Sequence, residues 1–459
     1  MPRPLFGTNG IRGIVNKELT PEFASKIGIS LGTFFQGHKI LLGFDGRTSS
    51  PFLRSTLAGA LLSTGCEVYE AGMVPTPALQ YAVRCFGMDG GVMITASHNP
   101  PDYNGIKVVA GDGVELEREQ EIEIEKIFYE ESFRRAEFNR VGDLHGSPEV
   151  LKVYRQAVPR HVAVERIGEA GLRVAVDPGN GVTALVCPQL FVDLGCEVTT
   201  VNADIDGLFP GRGSEPRPDN LGLLSALVKA SDADIGVAFD GDGDRAMFVD
   251  EKRTVHWGDE SFALIAQEFL ANHPGERIVT SVSSSQAVKD VVEAGGGRLV
   301  WTKVGSVTIS RTMVSQGIKL GGEENGGVMY GPHQPVRDGA MTTALVLEIL
   351  AKTGKKLSGL FDELPKYHQF KDRIACPDDF KEQVLAGLKS SVRDLKIETL
   401  DGVKIWYPDS TCILVRPSGT EPIFRLYAES KTEKRVSEVV DEFKDRLVDL
   451  VSKVSRGAL

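Results

Sequence analysis

Short apolar runs closed by glycine or acidic residues alternate with stretches of helical periodicity through most of the chain, which predicts strands alternating with helices. Lys39-Ile40-Leu41-Leu42-Gly43-Phe44-Asp45-Gly46 predicts a buried strand ending in a loop, and after a helical stretch Gly65-Cys66-Glu67-Val68-Tyr69-Glu70 predicts a second. The unit returns with Leu172-Arg173-Val174-Ala175-Val176-Asp177-Pro178-Gly179-Asn180-Gly181, closed by Gly195-Cys196-Glu197-Val198-Thr199-Thr200-Val201. A third copy opens at Arg277-Ile278-Val279-Thr280-Ser281-Val282 and closes at Gly296-Gly297-Arg298-Leu299-Val300-Trp301. Repeated strand, helix and strand imply α/β units with parallel sheets covered by helices. No further copy follows. The chain ends instead in a long amphipathic helix whose stripe of Val436, Val439, Val440, Phe443, Leu447, Leu450, Val451 and Val454 is expected to pack on a terminal sheet. A second charged stretch from Glu115 to Phe138, with Ile122, Ile124, Ile127 and Phe128 interspersed, is expected to be a solvated helix. Boundaries fall at domains 1–150, 151–252, 253–366 and 367–459.

The length of 459 residues agrees with several domains rather than one core. With 41% hydrophobic and 25% charged residues, the chain belongs to the ordinary globular class. No run reaches the length of a membrane span and Met1 to Gly7 has no apolar signal core, so a cytoplasmic location and no membrane partner are expected. Cys66, Cys85, Cys187, Cys196, Cys376 and Cys412 are widely spaced and expected to be buried free thiols. A net charge of −11 argues against a nucleic-acid partner. It also requires any anionic substrate to be drawn in by a local cluster of Arg and Lys.

Four loops carry chemistry. Asp240-Gly241-Asp242-Gly243-Asp244-Arg245 lies between the apolar runs Ile235–Phe239 and Ala246-Met247-Phe248-Val249. Its glycines let alternate carboxylates converge on one hard cation, which points to Mg²⁺. A calcium EF-hand also starts with alternating acids, and Glu251 would fall at its last ligand position. Arg245, however, stands where that loop needs glycine, and strands rather than helices flank it. Thr95-Ala96-Ser97-His98-Asn99-Pro100 follows the strand Gly91-Val92-Met93-Ile94 and puts a serine at a strand's end, where α/β active sites gather. Without a Gly-x-Ser-x-Gly elbow it is no hydrolase triad; a turn serine and a covalent phosphoryl carrier both fit. Arg416-Pro417-Ser418-Gly419-Thr420-Glu421-Pro422, followed by Arg425, combines guanidinium, hydroxyl and amide donors suited to a phosphate, or forms a plain turn. Gly321-Gly322-Glu323-Glu324-Asn325-Gly326-Gly327 offers carboxylate and amide groups to sugar hydroxyls, or is a charged surface turn.

Together and in this order, the four loops resemble the active-site set of the α-D-phosphohexomutase superfamily over essentially the whole chain. Phe6-Gly7-Thr8-Asn9-Gly10-Ile11-Arg12-Gly13 and Thr302-Lys303-Val304-Gly305 are similar to two further elements of that family. The resemblance implies three similar α/β domains with mixed, mainly parallel sheets and a smaller C-terminal α+β domain around a central cleft. It implies that Ser97 is the phosphoserine and that Asp240, Asp242 and Asp244 hold Mg²⁺ together with a phosphoserine oxygen. Glu323 and Asn325, with Arg12 and Lys303, would meet the sugar. Arg416, Ser418, Gly419, Thr420 and Arg425 would hold the unreacting phosphate. Lys107 and Arg245 would complete the cationic lining, with Lys107 and His98 as proton-transfer candidates.

The implied reaction interconverts a hexose 6-phosphate and 1-phosphate through a bisphosphorylated sugar, so the partners are phosphosugars. The wording is most similar to the phosphoglucosamine mutase branch and close to archaeal-type phosphomannomutase/phosphoglucomutases. A metal-dependent phosphatase is the alternative chemistry, and a silent sugar-phosphate sensor would have lost residues this chain keeps. One departure stands out: where related mutases read Gly-Glu-x-Ser-Gly-His, Asn325 and Gly327 replace the serine and the histidine.

Overall fold

The computed structural model describes residues 4–7, 9–146, 149–419 and 421–456, and arranges them as four β-sheets backed by helices. The first sheet contains β1 (Ile11–Ile14), β2 (Lys39–Phe44), β3 (Glu67–Met73), β4 (Gly90–Ile94), β5 (Tyr103–Ala110) and β6 (Leu144–His145), in the order β1-β5-β4-β2-β3-β6. The second contains β7 (Arg173–Asp177), β8 (Glu197–Thr200), β9 (Ile235–Phe239), β10 (Ala246–Asp250) and β11 (Val255–His256), in the order β11-β10-β9-β7-β8. The third contains β12 (Arg277–Ser281), β13 (Arg298–Thr302), β14 (Leu320–Gly322) and β15 (Val328–Tyr330), in the order β13-β12-β14-β15.

All three share one topology. The opening strand (β2, β7, β12) is central and pairs in parallel with the strand that follows it (β3, β8, β13) on one side and with a third strand (β4, β9, β14) on the other. A fourth strand (β5, β10, β15) then returns antiparallel to the third. The repeat legible in the sequence is the first pair of each unit. The structure adds that the serine, acidic and sugar loops are the same connection, from third strand to fourth, in the three units.

The strand that delivers each loop has no exposed face, as helix-covered parallel strands require. Gly90–Ile94, Ile235–Phe239 and Leu320–Gly322 are buried throughout. The three units share one continuous core that runs from Leu41 and Leu79 through Val174 and Phe239 to Phe262 and Leu347. The C-terminal unit has a separate one. Its sheet, β16 (His368–Ala375), β17 (Lys396–Glu398), β18 (Val403–Trp406), β19 (Cys412–Pro417) and β20 (Ile423–Ser430), is wholly antiparallel in the order β16-β20-β19-β18-β17.

The helix Glu433–Ser455 covers that sheet as its stripe predicts, with Thr432 capping its first turn through Arg435 N. Val436, Val439, Val440, Phe443, Leu447, Leu450 and Val454 are buried and Val451 is half-buried. Two expectations need correction. Between Glu115 and Phe138 the helix spans Arg118–Glu130 only, ending at Glu131 in a left-handed conformation (φ 52°). It is also docked rather than free: Ile124 and Phe128 join the core of the first unit, with Phe128 edge-on to Phe23, although Ile122 is exposed. Five cysteines are buried thiols, but Cys85 is exposed at the end of its helix. No described helix is long and apolar enough to cross a membrane.

Candidate active site

Ser97 sits just past β4, buried and with φ 51°. A side-chain-bearing residue held in this left-handed region costs about 1–3 kcal/mol and persists only where its surroundings enforce it. Here they do. Ser97 N donates to Thr95 Oγ1 (2.8 Å), and Arg47, 1% exposed, clasps the loop from beneath. Its Nη2 donates to Ser97 O (2.8 Å) and Asn99 O (2.7 Å), its Nη1 to Pro100 O (2.6 Å) and Tyr103 O (3.0 Å), and its Nε to Asp45 Oδ2 (3.1 Å). From the second unit, Ser214 Oγ lies 2.9 Å from His98 O and 2.7 Å from Asn99 O. So constrained, Ser97 Oγ donates to Asp240 Oδ2 at 2.8 Å and lies 3.3 Å from His98 Nδ1. Gly241 is required at this seam, because a Cβ there would stand 2.7 Å from Ser97 O.

Asp240, Asp242 and Asp244 are buried, with one oxygen from each lying within 4.8 Å of the others. The surroundings hydrogen-bond one oxygen of Asp242 and one of Asp244 and leave the other without a hydrogen bond, although Asp244 Oδ1 lies 3.8 Å from Arg245 Nε. Asp242 Oδ2 accepts from Lys107 Nζ (2.7 Å) and Thr76 Oγ1 (2.5 Å). Asp244 Oδ2 accepts from Lys107 Nζ (3.2 Å) and Arg337 Nη2 (2.5 Å). Asp242 Oδ1 and Asp244 Oδ1 are buried without a hydrogen-bond partner. Buried carboxylate oxygens are rarely left unpaired, and hard oxygens converging beside a serine hydroxyl suit a divalent cation such as Mg²⁺. The donor set fits the metal.

The charges are tightly balanced. Burial and the Asp244 and Asp242 carboxylates push the Asp240 carboxyl well above its ordinary range. For Asp242, burial acts upward, but Lys107 and Thr76 outweigh it and hold the group below that range. For Asp244, Arg337 and Lys107 likewise outweigh burial. Arg12, which donates through Nη1 to Asn99 Oδ1, is pulled down to about 10 by burial, with Arg245 and Arg337 adding to that and Asp242 opposing it; it stays cationic at neutral pH. Burial, with Arg245 and Arg12, takes the His98 imidazole well below its usual value, so it is neutral here. Arg245 is buried beside the triad, its N–H donating to Asp240 Oδ1 (3.1 Å).

The sugar loop follows β14. Glu323 is buried and its Oε2 accepts from Arg337 Nη1 (3.1 Å); Asn325 Oδ1 accepts from Gly327 N (3.1 Å). The phosphate loop connects β19 to β20. Arg416 and Arg425 are register partners, Arg416 Nε donating to Asp401 Oδ2 (2.6 Å) and Arg425 Nη2 to Glu421 Oε2 (2.7 Å). Lys381 Nζ shapes the turn, donating to Ser418 O (2.6 Å) and Glu421 O (2.7 Å). Gly419 is exposed at the tip, and Thr420 lies outside the described residues, as does Thr8 of the N-terminal motif. Asp401 Oδ2 also accepts from Val304 N (3.0 Å), which ties the Thr302-Lys303-Val304-Gly305 segment to the phosphate loop. Lys303 is exposed and has no ion pair among the described residues.

Ser97, His98, Lys107, Asp240, Asp242, Asp244, Arg245 and Arg12 thus meet at one buried centre, reached by Glu323 through Arg337. Arg416, Ser418, Gly419 and Arg425 form a second group on the C-terminal sheet, beside Lys303. Lys371 Nζ, 4.0 Å from Glu324 Oε1, links that sheet to the sugar loop. Four residues that organise the site escaped sequence inspection: Arg47, Arg337, Lys381 and Asp401. A charged residue just past a buried strand (Arg47) or just before an apolar helix (Arg337) was the available signal.

Four family models match in order: phosphoglucomutase/phosphomannomutase alpha/beta/alpha domains I (residues 3–135), II (152–254) and III (257–367), and the C-terminal domain (373–446). A phosphoglucomutase/phosphomannomutase of Thermococcus kodakarensis is 44% identical over 95% of this chain and 97% of its own. A phosphoglucosamine/phosphogalactosamine mutase of Sulfurisphaera tokodaii is 45% identical over 96% and 98%. Among solved structures, a phosphoglucomutase/phosphomannomutase family protein of Burkholderia thailandensis superimposes with a TM-score of 0.87 at 30% identity, covering 97% of each chain.

Proposed function

Because the chain belongs to the phosphoglucomutase/phosphomannomutase family of phosphohexomutases, we propose that it interconverts the 6-phosphate and 1-phosphate of a hexose, glucosamine foremost, with Ser97 as the phosphoryl carrier. The observation that carries this is the placement of Ser97 Oγ, held at a left-handed residue and 2.8 Å from Asp240 within the buried acidic triad.

In the proposed cycle the phosphate on Ser97 Oγ passes to the free hydroxyl oxygen of the bound hexose phosphate; the Oγ–P bond breaks, the sugar O–P bond forms, and the hydroxyl proton goes to the site. That proton ends on Ser97 Oγ; the bisphosphate turns end for end, its other sugar O–P bond breaks as the Ser97 Oγ–P bond re-forms, and the Oγ proton passes to the released sugar oxygen. His98, neutral and 3.3 Å from Ser97 Oγ, and Lys107, on Asp242 and Asp244, are the two groups placed to handle that proton. Arg12 and Arg245 supply fixed positive charge where the phosphoryl group moves, so electrostatic positioning carries most of the acceleration. Mg²⁺ held by Asp240, Asp242, Asp244 and an oxygen on Ser97 would offset the charge of the transferring group. Glu323 and Asn325 grip sugar hydroxyls, Lys303 lines the approach, and Arg416, Ser418, Gly419, Thr420 and Arg425 hold the phosphate that is not reacting. Each of the segments 1–150, 151–252, 253–366 and 367–459 contributes one loop.

The choice of glucosamine is supported by the N-terminal and phosphate-loop wording and by the 45% identical relative. Free thiols at all six cysteines accord with a reducing, cytoplasmic setting. Ser97→Ala should abolish interconversion, and near-normal turnover by that variant would reject the carrier role. Comparison of kcat/KM on glucosamine, glucose, mannose and ribose phosphates tests the substrate; a clear preference for mannose 1-phosphate would displace glucosamine.

A further inference from the structure

Gly327 occupies the place where related sugar loops carry histidine, and its φ lies outside the left-handed range, so conformational freedom is not what calls for a glycine here. Space is. A Cβ on residue 327 would stand 2.3 Å from Arg337 Cδ and 2.9 Å from its Cγ. The stem of Arg337 lies in the volume a side chain at 327 would fill, and its guanidinium is the one that forks between Glu323 Oε2 and Asp244 Oδ2.

The fork is rigidly placed. Arg337 pairs with Met329 across an isolated bridge, and the next residue, Asp338, caps the helix Gly339–Thr353 through Met341 N (3.0 Å) and accepts from Tyr154 OH (2.5 Å). The segment 243–246 also meets the sugar loop and the helix after Arg337 through backbone: Ala246 N donates to Gly326 O (3.2 Å) and Gly339 N to Gly243 O (3.2 Å). By occupying Asp244 Oδ2, Arg337 leaves Oδ1, which has no hydrogen bond and lies 3.8 Å from Arg245 Nε, available to a cation; by occupying Glu323 Oε2, it orients the carboxylate assigned to the sugar.

We propose that Arg337 is a positioning residue that couples the two loops, so that a hexose phosphate on the sugar loop tightens cation binding by the acidic triad, and the cation tightens sugar binding equally. The same guanidinium holds the carboxylate that each ligand meets, so a shift of the fork that favours one ligand moves the other carboxylate with it; the linkage is reciprocal by thermodynamic necessity. This rests on the assignment of Asp240, Asp242 and Asp244 as the metal site.

The test is direct Mn²⁺ binding, read by electron paramagnetic resonance of the free ion, on Ser97-dephosphorylated protein with and without saturating glucosamine 6-phosphate. That probe has one phosphate, which the cradle takes, leaving none to touch the metal. Wild type should bind Mn²⁺ about fivefold or more tightly when the sugar is present, the lower bound of ordinary allosteric couplings. Arg337→Lys keeps the charge but cannot fork, and Gly327→Ala keeps Arg337 but displaces its stem. Both should bind Mn²⁺ with the sugar's effect reduced to less than about twofold. Sugar-independent Mn²⁺ affinity in wild type, or undiminished coupling in both folded variants, overturns the proposal. If Asp242→Asn leaves Mn²⁺ binding intact, the metal-site assignment fails instead.

Discussion

Replacing Arg47 by lysine should leave a folded protein whose turnover is crippled. All five N–H groups of Arg47 are used, one on Asp45 and four on the carbonyls of Ser97, Asn99, Pro100 and Tyr103. A lysine head has three donors on a flexible stem. It can stay with Asp45, whose side chain is fully buried, and reach at most two carbonyls; Asn99 O keeps Ser214 Oγ and Pro100 O keeps Tyr103 N, so the buried acceptor at risk is Ser97 O. Leaving it unsatisfied costs about 1–3 kcal/mol. That is a minor part of the usual 5–15 kcal/mol, and the pairing with Asp45 that prevents an isolated buried charge survives. The released groups include Ser97 O, so the left-handed Ser97 relaxes toward ordinary backbone and its Oγ swings off Asp240. A displacement of that order costs about 10²-fold in rate. Steady-state kinetics should show kcat down by about that factor with KM little changed, because the sugar and phosphate loops are untouched. Thermal unfolding should report a lower midpoint. A variant with kcat within about twofold of wild type would refute the idea that Arg47 sets the attacking geometry.

Asp401 Oδ2 is shared by Arg416 Nε and Val304 N, so Asp401→Asn should loosen the phosphate cradle and raise KM about tenfold while kcat holds, as loss of uniform binding does. A fall in kcat alone would contradict it. Asp259 bears on pH. Burial, reinforced by Glu324 and opposed by Lys371 and hydrogen bonds from Gln369 and Ser285, raises its carboxyl to about 7. The folded protein therefore keeps a proton that the unfolded chain releases, and stability from this group declines as pH rises from about 4 to 7 and is lost above that. Asp259→Asn removes the titration, so its melting temperature relative to wild type should be higher at pH 8 than at pH 5. The two pH units between 5 and 7 set an upper limit of about 3 kcal/mol on that difference. A gap independent of pH would show that Asp259 is ordinary.

What could be read in advance was whatever the chain writes locally. Asp240, Asp242 and Asp244 fall within five residues, and a run such as Ile235–Phe239 announces a buried strand by itself. That the serine, acidic and sugar loops are equivalent turns of one repeated sheet was hidden, because β14 is only three residues long and glycine-rich, with little apolar signal. The organising cations were hidden by distance: Arg47 acts 50 residues away on Ser97, and Arg337 acts 93 residues away on Asp244. The missing histidine at 327 was visible as a departure, but not that an arginine stem fills its place. Glutamate-rich composition overextended the helix after Glu115. The chain instead leaves it at Glu131 to hydrogen-bond alongside residues 62–63, through Ala136 N to Ser63 O and Gly142 N to Leu62 O.

The central claim is that Ser97 carries the phosphoryl group, and phosphopeptide mass spectrometry tests it most directly. After incubation with a hexose 1,6-bisphosphate and Mg²⁺, one phosphoryl group should be found on the peptide containing Ser97. A chase with excess hexose monophosphate should remove it as an equal amount of bisphosphate appears in solution. Full mutase turnover with Ser97 unmodified throughout would contradict the account.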